Sequence, residues 1–93
     1  MIKTFASGET ESLFNRHKST KLPLSIQKTA LRKLYMIDAA TNINDLRIPP
    51  ANRLEKLKGN RSEQYSIRIN DQYRICFQWS QSHAYNVEIT DYH

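Results

Sequence analysis

Between Tyr65 and Trp79 the chain alternates apolar and polar residues with a period of two. Tyr65, Ile67 and Ile69 alternate with Ser66 and Arg68, and after Asn70-Asp71-Gln72 the residues Tyr73, Ile75, Phe77 and Trp79 alternate with Arg74, Cys76 and Gln78. This predicts two antiparallel strands with one apolar face and one polar, cationic face. A slip of one residue would move every side chain to the wrong side, so matching the apolar faces fixes the register. Ile69 then pairs with Tyr73 across a three-residue loop, and Arg68 must lie opposite Arg74. Directly opposed like charges weaken a ladder unless an anion sits between or above them, phosphate being the commonest. The alternative is two arginines splayed into solvent.

The remaining elements are read from the same kind of pattern. Ile2 to Phe5 is short, with Ile2 and Thr4 on one side and Lys3 and Phe5 on the other, and can form a first strand ended by Ser7-Gly8. Acids at Glu9 and Glu11 and bases at Arg16 and Lys18 suit a short helix around Leu13 and Phe14, with His17 near its end as a surface residue. From Ile26 the residues Ala30, Leu34 and Ile37 recur at helical spacing, widened by Leu31 and Tyr35. This predicts a second helix to about Ala40 that covers a sheet. Lys28, Arg32 and Lys33 are assigned to its solvated faces. Residues 41 to 52, with Pro49-Pro50, read as a long ordered loop. The segment beginning at Leu54 reads as a further strand followed by a turn at Gly59-Asn60. In the last strand, Tyr85, Val87 and Ile89 alternate with Asn86, Glu88 and Thr90 on the way to Asp91-Tyr92-His93. The expected architecture is α+β: two N-terminal helices packed on a mostly antiparallel sheet of four to five strands, forming a single domain over residues 1–93.

Composition narrows the partners. The chain has 93 residues, 39% hydrophobic, with 14 Lys and Arg against nine Asp and Glu, a net charge of +5. That is enough for one modest core, and a basic balance of this size points to an anionic partner. Arg53, Lys56, Lys58 and Arg61 fall within nine residues, with Glu55 the one acid among them. A single cysteine, Cys76, cannot form an internal disulfide and has no evident base partner, so it reads as structural. No early apolar run resembles a signal peptide or a spanning helix, and a cytoplasmic, membrane-free location is expected. Three scattered histidines give no metal-ligand spacing, so neither a metal nor another cofactor is expected. Asp91, Tyr92 and His93 supply a carboxylate, a phenol and an imidazole in succession, which fits proton transfer as well as a frayed end.

Several blocks together resemble the HigB toxins of bacterial toxin–antitoxin systems, within the RelE/ParE superfamily. They are Ile2-Lys3-Thr4-Phe5, Asp45-Leu46-Arg47-Ile48-Pro49-Pro50, Leu54 to Arg61, Tyr65 to Ile75, and Val87 to His93. The resemblance spans essentially the whole chain. It implies an endoribonuclease that depends on the 70S ribosome and cuts mRNA in the 30S decoding site, silenced by a HigA-type helix-turn-helix antitoxin. By the same resemblance, Lys58 and Arg74 match positions acting on the scissile phosphate, and Asp91, Tyr92 and His93 match the functional C-terminal end. Arg53, Lys56, Arg61 and Arg68 are candidates for substrate binding. Some family members carry a functional histidine where this chain has Glu55; a carboxylate, with a reference pKa of about 4.3, can accept a proton but donates poorly at neutral pH. The choice of base and acid among these groups stays open. Two other readings fit the same scaffold: a ParE-like inhibitor that binds DNA gyrase, and a basic module that grips RNA without cutting it.

Overall fold

The computed structural model describes residues 1–17, 21–57 and 64–91. Helix α1 spans Gly8–Phe14 and helix α2 spans Leu24–Ala39; strands β1 (Glu55–Lys56), β2 (Gln64–Arg68), β3 (Tyr73–Ser80) and β4 (His83–Asp91) follow. The strands lie in the order β1-β2-β3-β4, each antiparallel to its neighbour. The described sheet therefore has four strands, the lower end of the expected range.

The β2–β3 register is the one the alternation requires. Tyr65 faces Phe77, Ile67 faces Ile75 and Arg68 faces Arg74, while Ile69 N donates to Tyr73 O at 2.9 Å. Asn70 closes the loop by accepting from the amides of Gln72 (2.9 Å) and Tyr73 (2.8 Å), as a turn-forming Asn does. On the apolar face Phe77, Ile67 and Ile75 are buried under Ile26, Ala30, Leu34 and Ile37 of α2. Burial of a side chain such as Phe77 contributes about 1.5–3 kcal/mol.

Three expectations are corrected. The helix expected around Glu9 to Lys18 stops at Phe14, before its bases: Ser7 caps it by accepting from Thr10 N, and Arg16 lies beyond it in the left-handed region (φ 63°). Arg16 consequently lies past the last turn of the helix, and Lys18 lies outside the described residues. In β4 the simple alternation fails. Cys76 pairs with Glu88 but Gln78 pairs with Tyr85, so Asn86 and Val87 together oppose Phe77. This bulge, with Asn86 at φ 53°, puts Ala84 and Val87 in the core three residues apart and turns Tyr85 to the face of Gln78. The expected first strand is instead two parallel bridges, Ile2 to Ala84 and Phe5 to Val87. Because it follows the bulged strand, the segment packs both Ile2 and Phe5 against the core. Thr4 Oγ1 accepts from Asn86 N at 2.8 Å, and Ile2 N donates to Asp38 Oδ1 at 2.8 Å, joining the segment to α2.

A fourth correction concerns α2. Lys33 is not solvated; it is 5% exposed, on the same stripe as Ile26, Ala30 and Ile37. Its position, seven residues after Ile26 and four before Ile37, is a core position by spacing. Tyr35, read as widening the stripe, is 39% exposed; its hydroxyl accepts from Arg16 Nε at 3.2 Å, and its ring packs edge-on against Phe14.

The loop after α2 is ordered as expected, by two short 3-10 turns at Ile43–Arg47 and Pro50–Asn52. Asn42 caps the first by accepting from Asn44 N, and the Asp45 carboxylate reaches back to Asn42 N at 3.1 Å. Leu46 and Asn52 point inward and are buried. Among the described residues no helix is long and apolar enough to cross a membrane.

The bulge is testable at Asn86, where a left-handed backbone is costly for residues with a β-carbon other than Asn or Asp. Asn86→Ala should lose about 1 kcal/mol of unfolding free energy in urea titrations, whereas Asn86→Gly should stay close to wild type. Equal losses in the two variants would mean that the side-chain bond from Asn86 Nδ2 to Gln78, not the backbone, is what matters.

Candidate functional site

On the polar side of the β2–β3 hairpin, Arg53, Glu55, Arg68, Asn70, Asp71 and Arg74 line a cavity of about 350 Å³. Three arginines against two carboxylates leave the lining positively charged. Each residue arrives from a different local device: Arg53 from the end of the second 3-10 turn, Glu55 from the short edge strand, Arg68 and Arg74 from opposed hairpin positions, and Asn70 and Asp71 from the loop.

Arg74 is the most constrained of them. Its side chain is 11% exposed. Nε donates to Ser66 Oγ at 2.9 Å, Nη2 donates to Arg53 O at 2.7 Å and to Ser66 O at 3.4 Å, and Glu55 Oε2 lies 4.0 Å from Nη2. None of these contacts uses Nη1. A guanidinium held on two edges has lost most of its rotamer freedom before any ligand arrives, and its planar fork suits an anionic oxygen.

The neighbouring arginine is held differently. Arg68 is paired with Asp71, whose side chain is 99% exposed. The chain thus supplies its own anion beside the opposed arginines, and the register alone does not demand a bound phosphate. An ion pair this open contributes little to stability, and its carboxylate is free to swing into solvent. Arg53 lies in a left-handed conformation (φ 45°, ψ 58°) that turns its carbonyl to Arg74.

The other expected site residues are distributed as follows. Lys56 is exposed on β1 and pairs with Tyr65, whereas its neighbour Glu55 pairs with Ser66, so Glu55 and not Lys56 belongs to the face of Arg74. Asp91 pairs with Tyr73, on the face opposite Arg74, and accepts from Gln72 Nε2 at 3.2 Å; it does not line the cavity. Lys58, Arg61, Tyr92 and His93 lie outside the described residues.

Three residues of the site escaped the sequence reading. Ser66 alternates onto the polar face as expected, but it is fully buried because Arg74 lies over it. Asn52 is also fully buried, with Nδ2 donating to Leu46 O at 3.1 Å. Lys33 Nζ donates to Asn52 Oδ1. Burial pushes the Lys33 ammonium below the ordinary lysine range, with repulsion from Arg32 and Arg68 adding to it. In the unfolded chain this lysine holds its proton to higher pH, so its penalty on folding is full below its folded pKa and fades as pH rises through it. The available signal for Lys33 was its helical spacing; Ser66 and Asn52 carried none beyond small size and a place beside basic residues.

Comparison with known proteins identifies the family to which this fold belongs. Residues 3–93 match the family model described as RelE-like toxin of type II toxin-antitoxin system HigB. Toxin HigB-1 of Vibrio cholerae is 51% identical over 87 residues, covering 92% of this chain and 92% of that protein. Endoribonuclease HigB of Proteus vulgaris is 32% identical over 93 residues, covering both chains fully. Among solved structures, the YoeB-YefM complex from Staphylococcus aureus contains a chain that superposes with a TM-score of 0.62 at 22% identity, covering 100% of this chain and 98% of that one, a likeness of fold. The basic cavity therefore sits on a RelE-like scaffold, and the chain belongs to the HigB-like toxins of type II toxin–antitoxin systems.

Proposed function

We propose that this toxin is an endoribonuclease that inhibits translation by cutting mRNA in the ribosomal decoding site. The observation that carries the reading is the immobilised Arg74 guanidinium at the wall of a cationic cavity. The name of the Proteus vulgaris relative, an endoribonuclease, supports it.

In this reaction the ribose 2′-OH attacks the adjacent phosphorus, the bond to the 5′ oxygen of the next nucleotide breaks, and a cyclic phosphate is left behind. Charge builds on the phosphate oxygens in the transition state, and preorganised donors aimed at them lower the barrier. In this reading Arg74 does this, with Lys58 as a second cation. Arg68, Arg53, Lys56 and Arg61 hold the backbone of the RNA; Arg68 exchanges Asp71 for phosphate at little cost because that pair is exposed. A base must take the 2′ proton and an acid must serve the leaving oxygen. Glu55, already 4.0 Å from Arg74, is a base candidate at the cavity wall, while His93 is the proton-transfer candidate of the C-terminal end, with Tyr92 orienting or stacking on a base. We further infer a cytoplasmic location and a HigA-type helix-turn-helix antitoxin as partner. Such a cover fits a basic surface that must be silenced, and the solved likeness is itself a toxin–antitoxin complex.

Primer extension on a defined mRNA, with and without 70S ribosomes, tests the reading. Discrete, ribosome-dependent 5′ ends are expected, and Arg74→Ala should lower the cleavage rate by about 10²–10³-fold. Absence of cuts with folded, antitoxin-free protein would overturn the nuclease and leave gyrase inhibition or simple RNA binding, which supercoiling and filter-binding assays separate.

Two further variants follow from the geometry. Arg68→Ala should chiefly weaken RNA binding, reducing the slope of log affinity against log salt by about 0.7. Ser66→Ala removes the acceptor for Arg74 Nε and should cost about tenfold in kcat, read by single-turnover cleavage, for roughly 1.4 kcal/mol of lost orientation. An unchanged kcat would show that the backbone carbonyls of Arg53 and Ser66 suffice to fix the guanidinium.

A further inference from the structure

Lys33 sits on the sheet-facing stripe of α2, 5% exposed, with a single described hydrogen bond, to Asn52. An ammonium only donates, so Lys33 holds the oxygen end of the Asn52 amide, while Nδ2 also reaches Met36 Sδ of the same helix at 3.8 Å. Oδ1 turns to Lys33, and Nδ2 turns to Leu46 O at 3.1 Å and Ile48 O at 3.5 Å. The Asn52 backbone closes the same turn, its N–H donating to Pro49 O at 2.9 Å, and Arg53 N donates to Pro50 O at 3.0 Å. The next group along the chain is the Arg53 carbonyl, 2.7 Å from Arg74 Nη2.

We propose that Lys33 is a positioning residue for the cavity: by locking the Asn52 amide from inside the core, it holds the Arg53 carbonyl that fixes Arg74. This rests on the reading of Arg74 as the group that meets the scissile phosphate. The choice of lysine is otherwise a poor one for the fold. An ammonium with one acceptor is costly to bury, and a methionine of similar length would fill the space without that cost. What methionine lacks is a donor for Oδ1, so the amide would keep only its Nδ2 donations and lose the bond that fixes its oxygen end to α2. The lowered proton affinity of Lys33 agrees with a buried charge lying in the field of Arg68.

The test compares wild type with Lys33→Met, Asn52→Asp, Arg74→Ala and the double variant Lys33→Met/Arg74→Ala. Two readouts are taken: ribosome-dependent cleavage, resolved into kcat and KM, and the Arg74 Nε–H resonance in ¹⁵N-labelled protein. Lys33→Met should lower kcat about tenfold with KM within twofold, shift or broaden the Arg74 resonance, and add nothing further in the Arg74→Ala background. Asn52→Asp keeps an acceptor for Lys33, which favours folding, but loses the Nδ2 donations, and should show the same loss of kcat. A sharp, unshifted Arg74 resonance in both single variants would overturn the proposal. So would an equal fold-loss from Lys33→Met in both backgrounds, the mark of a merely structural role. Should Arg74→Ala cleave like wild type, the nuclease assignment of Arg74 fails by itself, and the resonance still decides whether Lys33 positions that side chain.

Discussion

Two arginines opposed across the β2–β3 ladder are the constraint around which the site is arranged. The register cannot be relaxed, because shifting it would expose Ile67 and Ile75 and bury polar groups in their place. The protein therefore has to accommodate two positive charges side by side, and it treats them unequally. Arg74 is pinned to Ser66 and to the Arg53 carbonyl under the edge of the sheet, whereas Arg68 is matched by a carboxylate out in solvent. One cation is built in and the other is exchangeable. For phosphate chemistry this division is useful: the fixed group needs no reorganisation when charge develops, and the exchangeable one adapts to the incoming backbone.

The hairpin was legible in the sequence because a period of two is a strong signal and a buried face leaves one register. Helix α2 was legible for the equivalent reason. The bulge in β4 was not, since the alternation of Tyr85, Val87 and Ile89 is a good strand pattern in its own right. Only the pairing with β3 shows that Asn86 is an extra residue and that Tyr85 belongs to the other face. Lys33 shows a different failure: residue type outweighed position, and a lysine at a core spacing was assigned to solvent. The C-terminal carboxylate Asp91 was grouped with Arg74 by resemblance, yet strand geometry sets the two on opposite faces.

Among the described residues, two buried polar contacts besides Ser66 tie separate elements together. Thr10, fully buried, accepts from Ile89 N at 3.0 Å and so ties α1 to β4, and the Lys33–Asn52 pair ties α2 to the loop. The second replaces apolar packing with a directional bond where an irregular loop meets a regular helix. Irregular backbone leaves amides and carbonyls that no ladder satisfies, and buried side-chain partners are the available remedy.

The two parallel bridges beside β4 have a consequence for how molecules meet one another. A bare outer strand invites a second copy to pair with it, and β4 is long enough to serve as such a template. Residues 1 to 6 occupy its backbone groups at Ala84 and Val87, with a bulge between them that spoils any regular ladder. Protection of β4 from edge-to-edge pairing is thus carried by an irregular segment and a bulge, and loosening residues 1 to 6 would expose the longest strand among the described residues.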